Sequence, residues 1–581
     1  MKKVSILVAC FLLVLGTFTV SAEVKNPDTL VKATYGTVRT LDPSVAYDTT
    51  TGQRLKQIYE MLINFDGSST SDFVPTLATE VPSVENGGIS ADGLTYTFSI
   101  RKGVKFHEGQ ELTPEDVEYS LERHMIADPD GGPMWMLLEA VTGTGGTRDG
   151  DGNIVEGVFE KIMSAITVDG DNVTITIPAA YPPLMGILAN NWSAIISKSW
   201  AIENGCWDGT LENAANFNNP APGHEPLQGV INGTGPYTMK AWEPSKEFVF
   251  ERNEEYWGPK PVLKTAIVKY VPEWSTRKLM LLNGDADTVT IDATYVPEMA
   301  GETGIKSYEV DQLSVSAAMF NQKVDPASTS IGSGKLDGEG VPPDFFSDIN
   351  VRKAFMHAFD RDLYREDVLQ NIDSVPTNPN VSGLPYAIDV PVYEYDLEKA
   401  ADYMKQAWGG EIWEKGFKMI ITHNTGNAKR EGVALMMAEN IMSLNPKFQI
   451  DVQNVEWKDY LVNYRNFLYP IYIIGWGADY PDPHNFLYTF MYSTGVYGKY
   501  MGYANEEVDK LCDDGIATVE PAKRKEIYER LQNLWYEEAI GLTIYQTKLI
   551  KHYRDWVQGF VPNPMDSDAA EWLYRLSKEE K

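Results

Sequence analysis

The sequence predicts an α/β protein, large enough for several domains or one bilobed body, on three observations. Short apolar or alternating runs at residues 30–36, 94–101, 419–423 and 540–545 read as strands, and segments whose apolar residues recur at helical spacing lie between them. In the second half of the chain strands and helices alternate, the order that builds an α/β layer. The 581 residues are 43% apolar and 11% aromatic, ample for a core, and no internal repeat or low-complexity tract appears.

The chain opens on Met1, Lys2 and Lys3, a mostly apolar run over residues 4–20, and Val20-Ser21-Ala22, the small-residue pattern of an export leader. Residues 1–22 are therefore an expected signal peptide, cleaved before Glu23, and the mature protein is expected in the periplasm or outside the cell. Leu7-Val8-Ala9-Cys10 has the form of a lipoprotein box, but the apolar segment before Cys10 is very short and a longer one follows, so no lipid is expected. No later stretch approaches the ~18 uninterrupted apolar residues that span a bilayer. Loss of Lys2 and Lys3 lowers the net charge from −32 by two, which argues against nucleic acid as a partner. Cys206 and Cys512 remain, and sequence leaves open whether they meet.

Residues 30–36 are the first expected strand, and Leu55, Ile58, Tyr59 and Leu62 fall on one helical face soon after it. Leu94, Tyr96, Phe98 and Ile100 alternate with Thr95, Thr97, Ser99 and Arg101, the period of a half-buried strand, and Lys102-Gly103 turns the chain. A helix follows, with Thr113 as N-cap, Pro114 at its first position, and Glu115 and Asp116 at the positive end of its dipole. Val117, Leu121 and Met125 give it a buried stripe.

The run Asp92-Gly93-Leu94-Thr95-Tyr96-Thr97-Phe98-Ser99-Ile100-Arg101-Lys102-Gly103-Val104-Lys105-Phe106-His107-Glu108-Gly109, followed by Leu112-Thr113-Pro114-Glu115-Asp116-Val117, resembles the signature of the peptide/nickel/oligosaccharide family of extracellular solute-binding proteins of ABC transporters. The resemblance implies a bilobed periplasmic-binding-protein-like fold of the large peptide-binding type. In it residues 23–312 form a first lobe with an extra subdomain at about 54–180, residues 313–547 a second lobe, and residues 548–581 a return to the first, with a hinge between the lobes. It further implies a monomeric receptor without cofactor or catalytic residues, which delivers a ligand to the permease subunits of an importer. His107 has no second His or Cys at ligand spacing, so no metal site is expected.

Residues 127–163, rich in Gly and acids, read as an insertion. Asp149, Asp151, Asn153 and Glu160 fit positions one, three, five and twelve of a calcium loop, yet Ile154 stands where the sharp turn requires Gly; a plain acidic loop is the reading, with calcium the alternative. Ile166 and Val168, a turn at 169–172, and Val173, Ile175 and Ile177 make a hairpin. A polar loop spans 203–228, and Gly233-Thr234-Gly235-Pro236-Tyr237 opens another hairpin that returns along Phe248 and Phe250. Ser275 is expected to cap a helix that Gly284 ends. Beyond an apolar strand into Phe320-Asn321, Val351, Ala354, Phe355 and Ala358 mark one helix, and Asp396 caps another that turns Ala400, Tyr403, Met404 and Ala407 inward. Further helices are expected at 430–443 and 521–538, and strands at 419–423 and 449–452.

The ligand is expected at residues 470–486. Ile471-Tyr472-Ile473-Ile474 reads as a buried strand, and Pro481 and Pro483 prevent helix or ladder from continuing, which leaves a loop at the strand end. Trp476 offers a large flat surface and Asp479 a carboxylate three residues on, the pairing that holds a ligand with an apolar body and a cationic end. The plainer reading is a structural turn with an N-capping Asp. By the resemblance, Asp479 pairs with the α-amine of a peptide, Gly475 and Trp476 lie beside it, and the peptide backbone binds as an added strand. Some oligopeptide binders carry an Arg two residues before the Gly-Trp, where this chain has Ile473. Arg430, at the start of its helix, is the substitute candidate for a peptide carboxylate, against a plain solvated charge. An oligosaccharide stacked on some of the 14 Trp and 31 Tyr is the alternative ligand, though sugar brings no positive charge to Asp479. The chain contains no His-Glu-x-x-His, Cys-x-x-Cys, Gly-x-Ser-x-Gly or Walker loop, so a secreted hydrolase is the weaker reading.

Overall fold

The computed structural model describes residues 24–149, 151–221, 223–291, 293–565 and 573–579; Cys10 and the expected cleavage site before Glu23 lie outside them. Two mixed sheets, each with its own helices, give the bilobed α/β architecture. The first has seven strands in the order Ile305–Asp311, Lys548–Arg554, Thr288–Val289, Thr29–Thr34, Thr265–Tyr270, Glu247–Arg252 and Tyr237–Glu243. The second has five, in the order Phe448–Val455, Phe417–Asn424, Ile471–Gly477, Ser314–Phe320 and Gly541–Tyr545. The chain passes from one sheet to the other between Asp311 and Ser314, and back between Tyr545 and Lys548. These two crossings are bonded to each other: Gln312 donates its backbone N–H to Thr547 at 2.9 Å, and Gln546 donates Nε2 to the Gln312 carbonyl at 3.0 Å.

Local signals act as the sequence dictates where the deciding contact is close in the chain. Thr113 and Asp116 form a reciprocal capping box on the helix Pro114–Ala127, whose Val117, Leu121 and Met125 are fully buried. The strand Thr95–Ser99 alternates, with Tyr96 and Phe98 inward, and pairs with Asn172–Thr176, which pairs in turn with Ile166–Asp169 to make a small antiparallel sheet. Gly284 ends its helix at φ 71°, and a Cβ there would lie 2.7 Å from Trp556, so the position requires glycine on two counts.

Other readings are extended by the structure, and one is corrected. Residues 127–163 carry the helices Trp135–Thr142 and Val158–Ala165, which bury Met136, Leu138, Phe159 and Ile162; the Gly and acidic residues connect them. In the same segment Asp149 accepts the backbone N–H of Asp151 at 3.0 Å and of Asn153 at 2.9 Å, closing its own turn. Among the described residues no group of three or more His, Cys, Asp or Glu is arranged to hold a metal. Ser275 does not cap: the helix Trp274–Asn283 begins two residues earlier, with Glu273 as N-cap, and Trp274 in its first turn stacks on Tyr295 at 5.3 Å and donates to Glu298. Cys206 and Cys512 are both buried and free. Among the described residues no helix is long and apolar enough to cross a membrane.

Candidate functional site

The strand Ile471–Gly477 is central in the five-stranded sheet, antiparallel to Ser314–Phe320 and parallel to Phe417–Asn424. Its side chains alternate between two cores, Ile471 and Ile473 on one side and Tyr472 and Ile474 on the other. The ladder stops at Gly477, but Pro483 does not stop a helix; it occupies the first turn of the helix Pro483–Met491, where its missing N–H costs nothing, and Asp482 is the N-cap. The N-capping Asp of this loop is thus Asp482, which leaves Asp479 outside the cap.

Asp479 is positioned from behind by Asn485 on that helix. Asn485 Oδ1 accepts Trp476 Nε1 at 2.9 Å and the Asp479 backbone N–H at 3.1 Å. Trp476 meets Tyr497 edge to face at 5.8 Å, and the Tyr497 hydroxyl donates to the Gly475 carbonyl at 2.7 Å. The strand end is therefore clamped on the second lobe before any group of the first lobe arrives.

Two bonds then cross the cleft. The Tyr47 hydroxyl donates to Asp479 Oδ1 at 2.5 Å, and Asn190 Nδ2 donates to the Asp479 carbonyl at 3.1 Å. Tyr47 is itself fixed by Trp135 Nε1, which donates to its oxygen at 3.2 Å, and by an edge contact with Trp192 at 5.3 Å. Asp479 Oδ2 has only Asn485 Nδ2, at 3.5 Å, and among the described residues no Lys or Arg pairs with this carboxylate. Burial pushes the Asp479 carboxyl up to about 6, although the hydrogen bonds from Tyr47 and Asn485 pull it down. Beside it lies a cavity of about 240 Å³, walled by Gly52, Asn191 and Trp192 on one side and by Gly477, Ala478 and Asp479 on the other.

Of the residues singled out in the sequence, only Asp479 lines this cavity. Trp476 stands behind it and acts through Asn485. Gly475 faces Arg430: a Cβ on Gly475 would lie 2.6 Å from Ser316 Oγ and 3.2 Å from Arg430 Nη2. Arg430 is not a solvated charge, being only 8% exposed. Its Nη1 donates to Asn424 at 2.9 Å, its guanidinium lies over Trp457, and its Nε is buried with no acceptor among the described residues. Sequence reasoning missed Tyr47, Asn190, Asn191, Trp192 and Asn485. One signal was available: Asn190 and Asn191 interrupt a mostly apolar stretch between Leu184 and Ile196, where polar side chains need a reason.

The dipeptide-binding protein of Escherichia coli is 26% identical over 570 residues, 95% of each chain. Heme-binding protein A of Haemophilus influenzae is 26% identical over 536 residues, covering 88% of this chain and 86% of that one. The periplasmic binding protein DppA of Helicobacter pylori, solved with the peptide STSA, superposes with a TM-score of 0.69 at 22% identity, over 95% of this chain and 98% of that one. HbpA2 of Haemophilus parasuis superposes with a TM-score of 0.72 at 22% identity, over 95% and 100%. These likenesses establish the bilobed fold. Residues 72–498 match the family described as bacterial extracellular solute-binding proteins, family 5 Middle, and the chain belongs to that family.

Proposed function

We propose that the protein is the receptor of an ABC importer for short peptides, which it captures by their free α-amine between its lobes and hands to a membrane permease. The observation that carries this reading is Asp479: a carboxylate 8% exposed, facing an interlobe cavity, with one oxygen almost unused and no cationic partner among the described residues. A buried carboxylate without a counter-charge is costly, and a ligand ammonium removes that cost where a neutral sugar does not. The names of relatives support the same ligand class, dipeptides in Escherichia coli and the peptide STSA in Helicobacter pylori. Arg430, with its unpaired Nε at the strand end, takes an anionic group of a longer ligand, while Gly475 and Trp476 hold the strand behind the carboxylate. Because ligand contacts both lobes, the closed state gains interactions that the open one lacks.

Binding to the folded state raises the melting temperature, so a thermal-shift screen tests the reading directly. Alanylalanine and trialanine should raise it, and their N-acetylated forms should not. A response to oligosaccharides or haemin alone would overturn the peptide assignment. X-ray scattering should show compaction with trialanine, and an unchanged radius counts against a closing receptor.

A further inference from the structure

We infer that Asn191 and Trp192 form an oxygen-acceptor subsite in the cleft, which receives the carbonyl or carboxylate oxygen of the ligand residue whose amine meets Asp479. The inference rests on the peptide reading and narrows it to α-amino acyl compounds, in which a cation and an oxygen acceptor sit close together.

Residues 190–192 form one polar turn. Asn190 is the N-cap of the 3-10 turn Asn191–Ser193; its Oδ1 accepts the Asn191 N–H at 2.8 Å and its Nδ2 reaches across to the Asp479 carbonyl. The next two side chains line the cavity that Asp479 lines. Asn191 is 3% exposed, and its Nδ2 is buried with no acceptor among the described residues; the same holds for Trp192 Nε1. Buried donors are nearly always satisfied, and the indole N–H groups of Trp135, Trp200, Trp207, Trp257 and Trp476 all find acceptors, although other buried atoms such as Tyr59 Oη, Gln322 Nε2 and Arg430 Nε have none among the described residues. Two adjacent exceptions on one cavity wall mark a place where the acceptor is supplied from outside.

Gly52 on the helix Thr49–Ile58 faces the Asn191 amide, and a Cβ there would lie 3.4 Å from Oδ1 and 3.6 Å from Nδ2. Tyr47 joins the two subsites, since its ring meets the edge of Trp192 and its hydroxyl rests on Asp479. An ammonium at Asp479 therefore has a donor-rich wall beside it, suited to the carbonyl that follows the amine in a peptide and wasted on a simple alkylamine.

Calorimetry on the purified full chain tests this with trialanine and with its thioxo analogue, in which sulfur, a poor acceptor, replaces the first carbonyl oxygen. Trp192→Phe, which removes the indole N–H together with the five-membered half of the ring, and Asn191→Ala should each weaken trialanine by about fivefold to fiftyfold. They should weaken the thioxo peptide less. If both variants bind trialanine like wild type while Asp479→Asn does not, the subsite is overturned and the peptide reading stands. Equal losses for both peptides also overturn it, because they mean altered packing and not a lost acceptor bond. If trialanine fails to bind wild type, or binds regardless of Asp479→Asn and N-acetylation, the peptide reading falls and the subsite with it.

Discussion

Asp479 and Asp482 stand three residues apart on one loop, are 8% and 6% exposed, and serve opposite ends. Asp482 accepts Arg524 Nη1 at 2.7 Å and Nη2 at 2.8 Å, and the His484 backbone N–H at 2.9 Å, all from its own lobe. Asp479 takes its strongest bond from the other lobe and is paired with no cation among the described residues, although Lys56 lines the same cavity. Burial is nearly equal, so burial does not separate a scaffold carboxylate from a ligand carboxylate; compensation does. A carboxylate whose oxygens are filled from within holds the loop in shape, and the one left short is free to reward a partner.

The comparison breaks most visibly at Asp482. Asp482→Ala strands the buried Arg524 guanidinium and should cost about 3–5 kcal/mol of stability, measured by chemical denaturation. Asp479→Ala removes an under-compensated charge and should leave the denaturation midpoint unchanged or raise it. An Asp479→Ala protein that unfolds as early as Asp482→Ala would end the distinction.

Binding should show the reverse order. Loss of one member of a buried ion pair costs about 2–5 kcal/mol, so at about 1.4 kcal/mol per decade Asp479→Ala should weaken trialanine by roughly thirtyfold to a few thousandfold. N-acetylation of the peptide should do comparable damage, and both together should cost less than their sum, since each removes the same contact. Intact affinity in Asp479→Ala would refute the amine assignment.

Tyr47→Phe sharpens the same contrast with a smaller effect. It deletes one hydrogen bond to a charged acceptor, about 1.5–3 kcal/mol, so affinity should fall by roughly tenfold to a hundredfold while the fold is retained. Wild-type affinity in this variant would show that the cross-cleft bond does not persist in the complex.

The smallest effect is on pH. Ammonium binding requires ionised Asp479, so affinity should be flat above about pH 7 and fall, by at most about tenfold per unit, as pH drops through about 6. The sign for the unliganded protein is opposite. Its carboxyl titrates above the ordinary carboxylate value of 3.8, so the native state takes up the proton before the unfolded chain does. This group's contribution to stability is therefore least favourable above about pH 6 and improves as pH falls from there toward 3.8. Tyr47→Phe should move the binding midpoint upward, because Tyr47 holds the carboxyl down. Titrations from pH 8 to pH 5 read both, and a flat profile would remove Asp479 from the ligand contact.

The sequence by itself determined what neighbours in the chain decide. Thr113, Pro114 and Asp116 start a helix because cap, first turn and dipole all lie within four residues, and Tyr96 and Phe98 declare a strand because alternation is a two-residue rule. The strand Ile471–Gly477, the loop after it and the presence of a carboxylate there were legible for the same reason. Which carboxylate would be left short was not. Arg524 reaches Asp482 from 42 residues away, Asn190 reaches the Asp479 carbonyl across 289 and Tyr47 reaches its side chain across 432. Even the start of one helix shifted by two residues, where Trp274 meets Tyr295. Only the tertiary structure decided these, because two identical acids in one loop become different when the sheet order and the meeting of two lobes bring a guanidinium to one and a phenol to the other.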